Sequence, residues 1–309
     1  VQISISSSDL HSDTTWIEID GNVVQTWSGA GGFTYDWNTT SVADGTHEVI
    51  VYANDTAGNV NSYRILLVVD NTPPSVVIIA PANNSIVNGV VWINISGLDP
   101  HGNITQLIIN GSVVCAWSGA GNFTYAWNTT VWSDGVYVVI VTVSDCVGHT
   151  SSYSILVVVD NTPPEIVVLS PANNTVVGTQ HVDISWYASQ DTIMCNITVN
   201  NTLIYSGGGY VSQTLSLSDG TYIISIVAID KAGNIGIVKL LLVVDTTPPI
   251  LVITSPGDGE YLNISEVHIS WVLEERNLDK VEMRVNWGAW INVSNTGCML
   301  NLSDGAYVV

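Results

Sequence analysis

The chain has 309 residues, with 27 Asp plus Glu against six Lys plus Arg and a formal net charge of −21 at neutral pH. That sign excludes a nucleic-acid surface, which needs a basic footprint, and argues against docking on anionic lipid. Charged residues make up only 11% of the chain, against about 25% in an ordinary soluble protein, and the 46% apolar share is rich in the β-branched residues that suit pleated surfaces.

Taken in order, the sequence repeats itself. Residues 1–72 align without a gap on residues 91–162 at an offset of 90, and Trp27–Thr40 returns almost unchanged as Trp117–Thr130. A short segment, Val-Val-Asp-Asn-Thr-Pro-Pro, stands at Val68–Pro74 and Val158–Pro164, and returns as Val-Val-Asp-Thr-Thr-Pro-Pro at Val243–Pro249. These joints predict four units: 1–72, 73–162, 163–247 and 248–309. Within 73–162 the apolar period is two, and seven strands are expected: Ser75–Ala80, Val91–Ser96, Thr105–Ile109, Ser112–Trp117, Asn122–Trp127, Val136–Asp145 and Ser151–Val159. Pairs such as Asn110-Gly111 and Asp134-Gly135 supply tight turns, and Gly207–Gly209 reads as another. The nearest helix candidate, Leu273–Arg284, fits a strand pair better by its place in the repeat. The expected fold is therefore all-β: a tandem array of immunoglobulin-like sandwiches with about seven strands per complete unit.

The unit ends carry a resemblance. Asp219–Asn234, the Tyr-X-Trp-Asn-Thr runs at Tyr35–Thr39 and Tyr125–Thr129, and the closing Val-Asp-X-Thr-Pro-Pro resemble bacterial and archaeal immunoglobulin-like repeats of cell-surface proteins. The resemblance covers the whole chain. It implies the sandwich fold and an extracellular surface location. The first unit departs from it at His47, where the others have Tyr137, Tyr222 and Tyr307, which puts the corner contact of that unit in question. The second has Asp145-Cys-Val-Gly-His149 where the first has Asp55-Thr-Ala-Gly-Asn59. Val1 falls on the second strand of its unit and Val309 just inside the sixth, so either the natural chain continues in both directions or a neighbour donates a strand; continuation is the expectation.

Fourteen Asn-X-Ser/Thr acceptors occur: Asn38, Asn54, Asn83, Asn94, Asn103, Asn110, Asn122, Asn128, Asn173, Asn196, Asn200, Asn263, Asn292 and Asn301. Glycan at several of them would replace the missing surface charge. Of four cysteines, Cys115 and Cys146 occur together in one unit only, which predicts a disulfide between them; Cys195 and Cys298 have no evident partner and read as buried thiols. Sandwich topology places the fifth–sixth turn and chain exit of one unit at the pole that faces the second–third and sixth–seventh loops of the next. Asp44 and Asp70 are thus expected near Asp99 and Asp145, and Asp134 and Asp160 near Asp191 and Asp230, as carboxylate clusters suited to calcium. The plainer reading is that these residues make turns.

Trp27, Trp37, Trp117 and Trp127 alternate as core positions do, rather than as a sugar platform. The six histidines (His11, His47, His101, His149, His181, His268) are scattered, and neither a nucleophile constellation nor a phosphate loop is legible, so no catalytic residue and no organic cofactor is assigned. No apolar run reaches the length of a membrane span, about 18 residues. The expected function is structural: a rigid, glycosylated rod on the outside of a bacterial or archaeal cell, the body of a filament, stalk or surface layer, associating with itself. The alternatives are an adhesin that binds glycan or protein, and spacer domains of a larger secreted enzyme.

Overall fold

The computed structural model describes residues 1–208 and 210–309, with side chains throughout except at 210 and 211. Gly209, the last residue of the expected glycine turn, lies outside the described residues. The chain divides into two compact bodies, residues 1–161 and 162–309. Secondary structure is almost wholly strand, as the β-branched composition requires, and among the described residues the helical turns are two three-residue 3-10 turns, Thr39–Ser41 and Thr129–Val131.

The first body opens with β1 (Gln2–Ser6), β2 (Ser12–Ile19), β3 (Asn22–Ser28), β4 (Gly32–Asp36), β5 (Gly45–Asp55) and β6 (Val60–Val69). They form a β1-β4 pair facing a four-stranded sheet ordered β3-β2-β5-β6. Next come β7 (Ser75–Ala80), β8 (Ser85–Val87), β9 (Val90–Leu98), β10 (Gly102–Ile109), β11 (Ser112–Ser118), β12 (Asn122–Asn128), β13 (Gly135–Asp145) and β14 (Thr150–Val159). Here a three-stranded sheet, β12-β9-β7, packs on a five-stranded one, β11-β10-β13-β14-β8. All seven expected strands are present within a few residues. An eighth, β8, escaped the sequence reading because three residues cannot display a period; it runs parallel to β14, with Ser85 opposite Val157. The chain thus changes sheets between β7 and β8 and closes the edge of the larger sheet.

The period of two decides what is buried. Tyr137, Val139, Val141 and Val143 of β13 are buried, and the first three pack with Ile93, Ile95, Leu107, Ile109 and Trp127. Trp127 is 1% exposed and Trp37 6%, while Trp27 and Trp117 lie at the core margin, stacked on Phe33 and Phe123 at 5.0 and 4.9 Å. All four indoles therefore pack rather than form a platform. Register is pinned by two-residue hairpins in which both residues take positive φ: Asn110 and Gly111 at 49° and 82°, Asp20 and Gly21 at 51° and 76°.

In the second body, β15 (Ile166–Ser170), β16 (Thr175–Val177), β17 (His181–Ala188), β18 (Thr192–Val199), β19 (Thr202–Gly207), β20 (Tyr210–Ser216), β21 (Gly220–Asp230) and β22 (Ile235–Val244) repeat this order, with sheets β15-β17-β20 and β16-β22-β21-β18-β19. The chain ends in β23 (Ile250–Ser255), β24 (Glu266–Glu274), β25 (Glu282–Met283), β26 (Ile291–Asn292) and β27 (Gly297–Asn301). The stretch Leu273–Arg284 supplies the end of β24 and the whole of β25, not a helix. The molecule is a tandem array of immunoglobulin-like sandwiches.

The corner of the first unit survives the loss of tyrosine. Tyr137, Tyr222 and Tyr307 each donate to a backbone carbonyl four residues earlier, at 2.8–3.0 Å. His47 does the same through Nε2, at 2.8 Å from the Ala43 carbonyl, and its Nδ1 lies 2.6 Å from an Asp20 carboxylate oxygen. Neither acceptor carries a proton, so both contacts are hydrogen bonds together only when the ring is protonated. The Asp20 hydrogen bond, followed by the Ala43 carbonyl, accordingly raises the pKa of His47 above the ordinary 6.5. The stability it contributes is complete below that ordinary value and is lost as pH rises through the raised one. A His47→Tyr chain should lose this alkaline dependence of Tm while keeping the corner bond; an unchanged pH profile would show that the imidazolium contributes nothing.

Candidate functional site

Each joint is held by the aspartate of the turn before the penultimate strand of its unit. Asp44 accepts from the Asn71 amide at 2.6 Å and from the Thr72 hydroxyl at 2.5 Å. Asn71 extends its side-chain amide to the Thr39 and Val42 carbonyls at 3.0 and 3.2 Å. The second copy repeats the pattern: Asn161 donates its amide to Asp134 at 2.7 Å and its side chain to the Thr129 and Trp132 carbonyls. In the third, Asp219 accepts from the Thr246 amide and from the hydroxyls of Thr246 and Thr247. The hydrogen bonds from Thr72 and then Asn71 hold the Asp44 carboxyl below its usual 3.8, and those from Thr246 and Thr247 do so for Asp219. Two of the residues expected to approach a cation, Asp44 and Asp134, thus bind the backbone of the joint.

Asp70 has a different role. Its side chain is only 4% exposed, and Thr72 donates its amide to one oxygen at 3.3 Å. The other oxygen, Oδ2, is buried without a hydrogen bond; His101 Nδ1 stands 3.2 Å away but out of donor line. Around it the second sandwich brings two loops, β9–β10 and β13–β14. Asp99, with His101, and Asp145, with His149, each offer ligand atoms that lie with Asp70 within a 4.8 Å sphere of mutual separation. Asp99 thus stands near Asp70 in one group and Asp145 in the other. The histidines are additions that the sequence reading passed over as scattered, although the departure from Asn59 to His149 at one turn position was the visible signal.

Local structure fixes these groups. Asp99 accepts the His101 amide at 2.6 Å. Asp145 accepts the amides of Val147, Gly148 and His149 through one oxygen and His149 Nδ1 through the other, at 2.7 Å. Burial pushes the Asp145 carboxyl up, but the His149 ring and these amides outweigh it, so its pKa is lowered. Because a carboxylate only accepts, Nδ1 is the donor in the His149–Asp145 contact. Asp230 is built likewise, accepting from Gly233 and Asn234 amides at 2.8 Å; Asp191 and Asp230 belong to the second body, and Asp160, whose amide bonds the Val87 carbonyl, closes the first.

The expected disulfide does not form: all four cysteines are free. Cys115 pairs across β11–β10 with Leu107, which pairs across β10–β13 with Val141, five residues short of Cys146. Two strand spacings and five residues of rise put the pair on the order of 15–20 Å apart, far beyond the roughly 7 Å Cα limit of a disulfide. Co-occurrence in one unit is not proximity. Cys195 is wholly buried, which pushes its thiol up, and the half-buried Cys298 contacts Met283 Sδ at 3.4 Å.

Eleven of the fourteen acceptor asparagines are exposed, and Asn54, Asn94 and Asn196 are half-buried. Several have structural duties: Asn83, Asn173 and Asn200 accept the amides of Leu156, Leu241 and Ile223 at 2.8–2.9 Å. Elsewhere Trp287 and Trp290 are exposed, bracket the Arg284 guanidinium at 4.5 and 4.6 Å, and stand at the mouth of an apolar cavity of about 370 Å³ between β23–β24 and β25. Among the described residues no helix is long and apolar enough to cross a membrane.

Residues 74–141 match the family described as bacterial Ig domain. A Kelch domain-containing protein of Saccharolobus solfataricus is 26% identical over 222 residues, covering 69% of this chain and 26% of that protein, so the chain spans about a quarter of its relative. Among solved structures, the fibronectin(III)-like modules of Clostridium thermocellum CbhA align at 16% identity and a TM-score of 0.38, over 55% of this chain and 94% of that one. A tetra-tandem repeat from the extending region of a large adhesion protein aligns at 19% identity and 0.35, over 98% and 87%.

The clamp makes a testable claim. Asp44→Ala should leave the first core folded but release the joint, seen as faster hydrogen exchange at Asn71. In the unaltered chain the same protection should fade as pH falls below 3.8 through the depressed Asp44 value, since the ionised form is the acceptor. Protection that survives both would assign the joint's order to Asn71 alone.

Proposed function

We propose that this chain is a structural segment of an extracellular or cell-surface protein, a stiff spacer built from immunoglobulin-like repeats. The observation that carries the reading is the recurrence of one clamped joint, in which Asp44, Asp134 or Asp219 grips the residues that lead into a Pro-Pro pair. A connection with two prolines and no Gly–Ser slack favours an extended crossing, and a side-chain clamp suppresses what bending remains. A binding module on a flexible tether needs neither. The low charge and exposed sequons support a glycan coat, and the rod so formed suits the body of a stalk, filament or surface layer.

A second reading rests on the exposed Trp287–Arg284–Trp290 group, since indole faces beside a cation are the usual furniture of sugar and peptide sites. Saturable glycan-array binding by the purified chain, lost in Trp287→Ala/Trp290→Ala, would favour that adhesin-like role; an empty array would leave the spacer reading alone.

For the spacer, Pro73→Gly/Pro74→Gly is the direct test. Both sandwiches of residues 1–161 should keep their unfolding transitions, while small-angle scattering shows a broadened distribution of the angle between them. An unchanged distribution would refute the role assigned to the joint.

A further inference from the structure

We propose that the β25–β26 hairpin recognises a saccharide capped by a single carboxylated sugar, with Trp287 and Trp290 stacking on sugar rings and Arg284 taking the carboxylate. This rests on the second reading above, that the group binds a ligand, and adds the class of ligand. The first observation concerns charge. Of the six Lys and Arg residues, Arg284 alone is not exposed. The ion pairs among the described residues engage Arg64, Lys280 and three histidines, and Arg284 stands in none of them although the chain carries 27 Asp plus Glu. An arginine withdrawn from water ordinarily takes a carboxylate. This one is held by two indole faces instead, at 4.5 and 4.6 Å, an arrangement that leaves the N–H edge of its fork uncommitted.

The second observation concerns the backbone. Trp287 has a φ of 63°, in the left-handed region that a bulky side chain adopts only under constraint. Every other non-glycine residue with positive φ among those described is Asn or Asp. Asn286 holds the Val308 amide as Asn200 holds that of Ile223, so Trp287 corresponds to Asn201, and to Gly111 and Gly21 of the earlier hairpins, at 68°, 82° and 76°. The fold is thus served by Gly or Asn there, and it does not account for an indole. Third, both indoles face solvent, Trp287 at 77% and Trp290 at 57% exposure, so each gives one face to the guanidinium and keeps the other free. Those free faces suit the C–H faces of sugar rings, and the guanidinium fork matches a carboxylate bidentately. A net charge of −21 repels polyanions, so one carboxylate on an otherwise neutral saccharide fits better than a polyuronate or an acidic peptide.

The repeats supply a control. The full chain is titrated by calorimetry with sialyllactose and with a glucuronate-capped trisaccharide, each beside its carboxyl methyl ester. At least one acid should bind with a stoichiometry of one, and about tenfold or more tighter than its ester. Arg284→Gln should bring the acid down to the level of the ester, whereas Arg276→Gln, at an exposed arginine, should not. Trp287→Asn installs the residue of the third unit, so it should abolish binding while raising Tm, because the left-handed indole is gone. Equal binding of acid and ester, lost in Trp287→Asn, would overturn the acidic specificity and leave the glycan reading standing. No binding of any saccharide would overturn both. A Trp287→Asn chain that loses binding together with Tm would make the indole structural and overturn the proposal, as would binding of an oligoglutamate peptide in place of the sugars.

Discussion

The two carboxylate oxygens of Asp44 decide how one sandwich hands the chain to the next. A strand that leaves a sheet loses its ladder, and its amides must find other acceptors or face water. Here the turn before β5 provides them: Asp44 takes the Asn71 amide and the Thr72 hydroxyl, and Asn71 fills the carbonyls of the turn that precedes Asp44. The exit is therefore held by the fold it is leaving. With Pro73 and Pro74 following, the chain has no free donor with which to wander, and Ser75 enters β7 at once. Everything at the pole depends on that hand-over, because it places Asp70 beneath the loops of the second sandwich.

Much of the fold was legible because its signals are local and repeated. Alternation gave the strands of the second sandwich, and pairs such as Asn110-Gly111 gave the hairpins. What stayed hidden was short or distant. Three residues of β8 have no period, and their parallel partner lies 72 residues away in β14, so nothing nearby announces them. The Cys115–Cys146 pairing failed for a related reason: the argument used which unit held the cysteines, while the bond depends on register, and register puts Cys115 opposite Leu107 rather than near the β13–β14 turn. At the joint, topology led to Asp70, Asp99 and Asp145 as a carboxylate cluster, and the structure sets Asp99 and Asp145 in two separate groups beside Asp70. Topology could not show that Asp44 spends its oxygens on the backbone, since a clamp and a ligand are written with the same residue.

The asparagines illustrate the same ambiguity. Asn200 lies in an acceptor sequence for glycan, yet its Oδ1 holds the Ile223 amide across the hairpin at 2.9 Å. Asn286, in a sequence no glycan enzyme would read, holds the Val308 amide at 2.9 Å in the same way, and Asp20 holds Glu48. The position therefore asks for a short side-chain acceptor in a left-handed turn, which Asn and Asp provide. Part of the excess of glycosylation motifs is the by-product of a Thr-rich sheet surface meeting turns that need Asn. The glycan Nδ2 and the structural Oδ1 are different atoms, so the two uses are compatible.

The β5–β6, β13–β14 and β21–β22 turns show how little must change for such a scaffold to acquire chemistry. In each, an aspartate gathers the amides of its own turn, and the residue four places on returns a side-chain donor: Asn59 to Asp55 at 2.7 Å, His149 to Asp145 at 2.7 Å, Asn234 to Asp230 at 2.9 Å. As a donor, His replaces Asn without disturbing the turn. What differs is the far side of the ring. An amide whose nitrogen is engaged keeps only its carbonyl oxygen, a hard donor, whereas an imidazole engaged through Nδ1 keeps a nitrogen lone pair on the opposite edge. A substitution that is neutral for the turn thus changes what the turn presents at its outer edge, from an amide oxygen to an imidazole nitrogen.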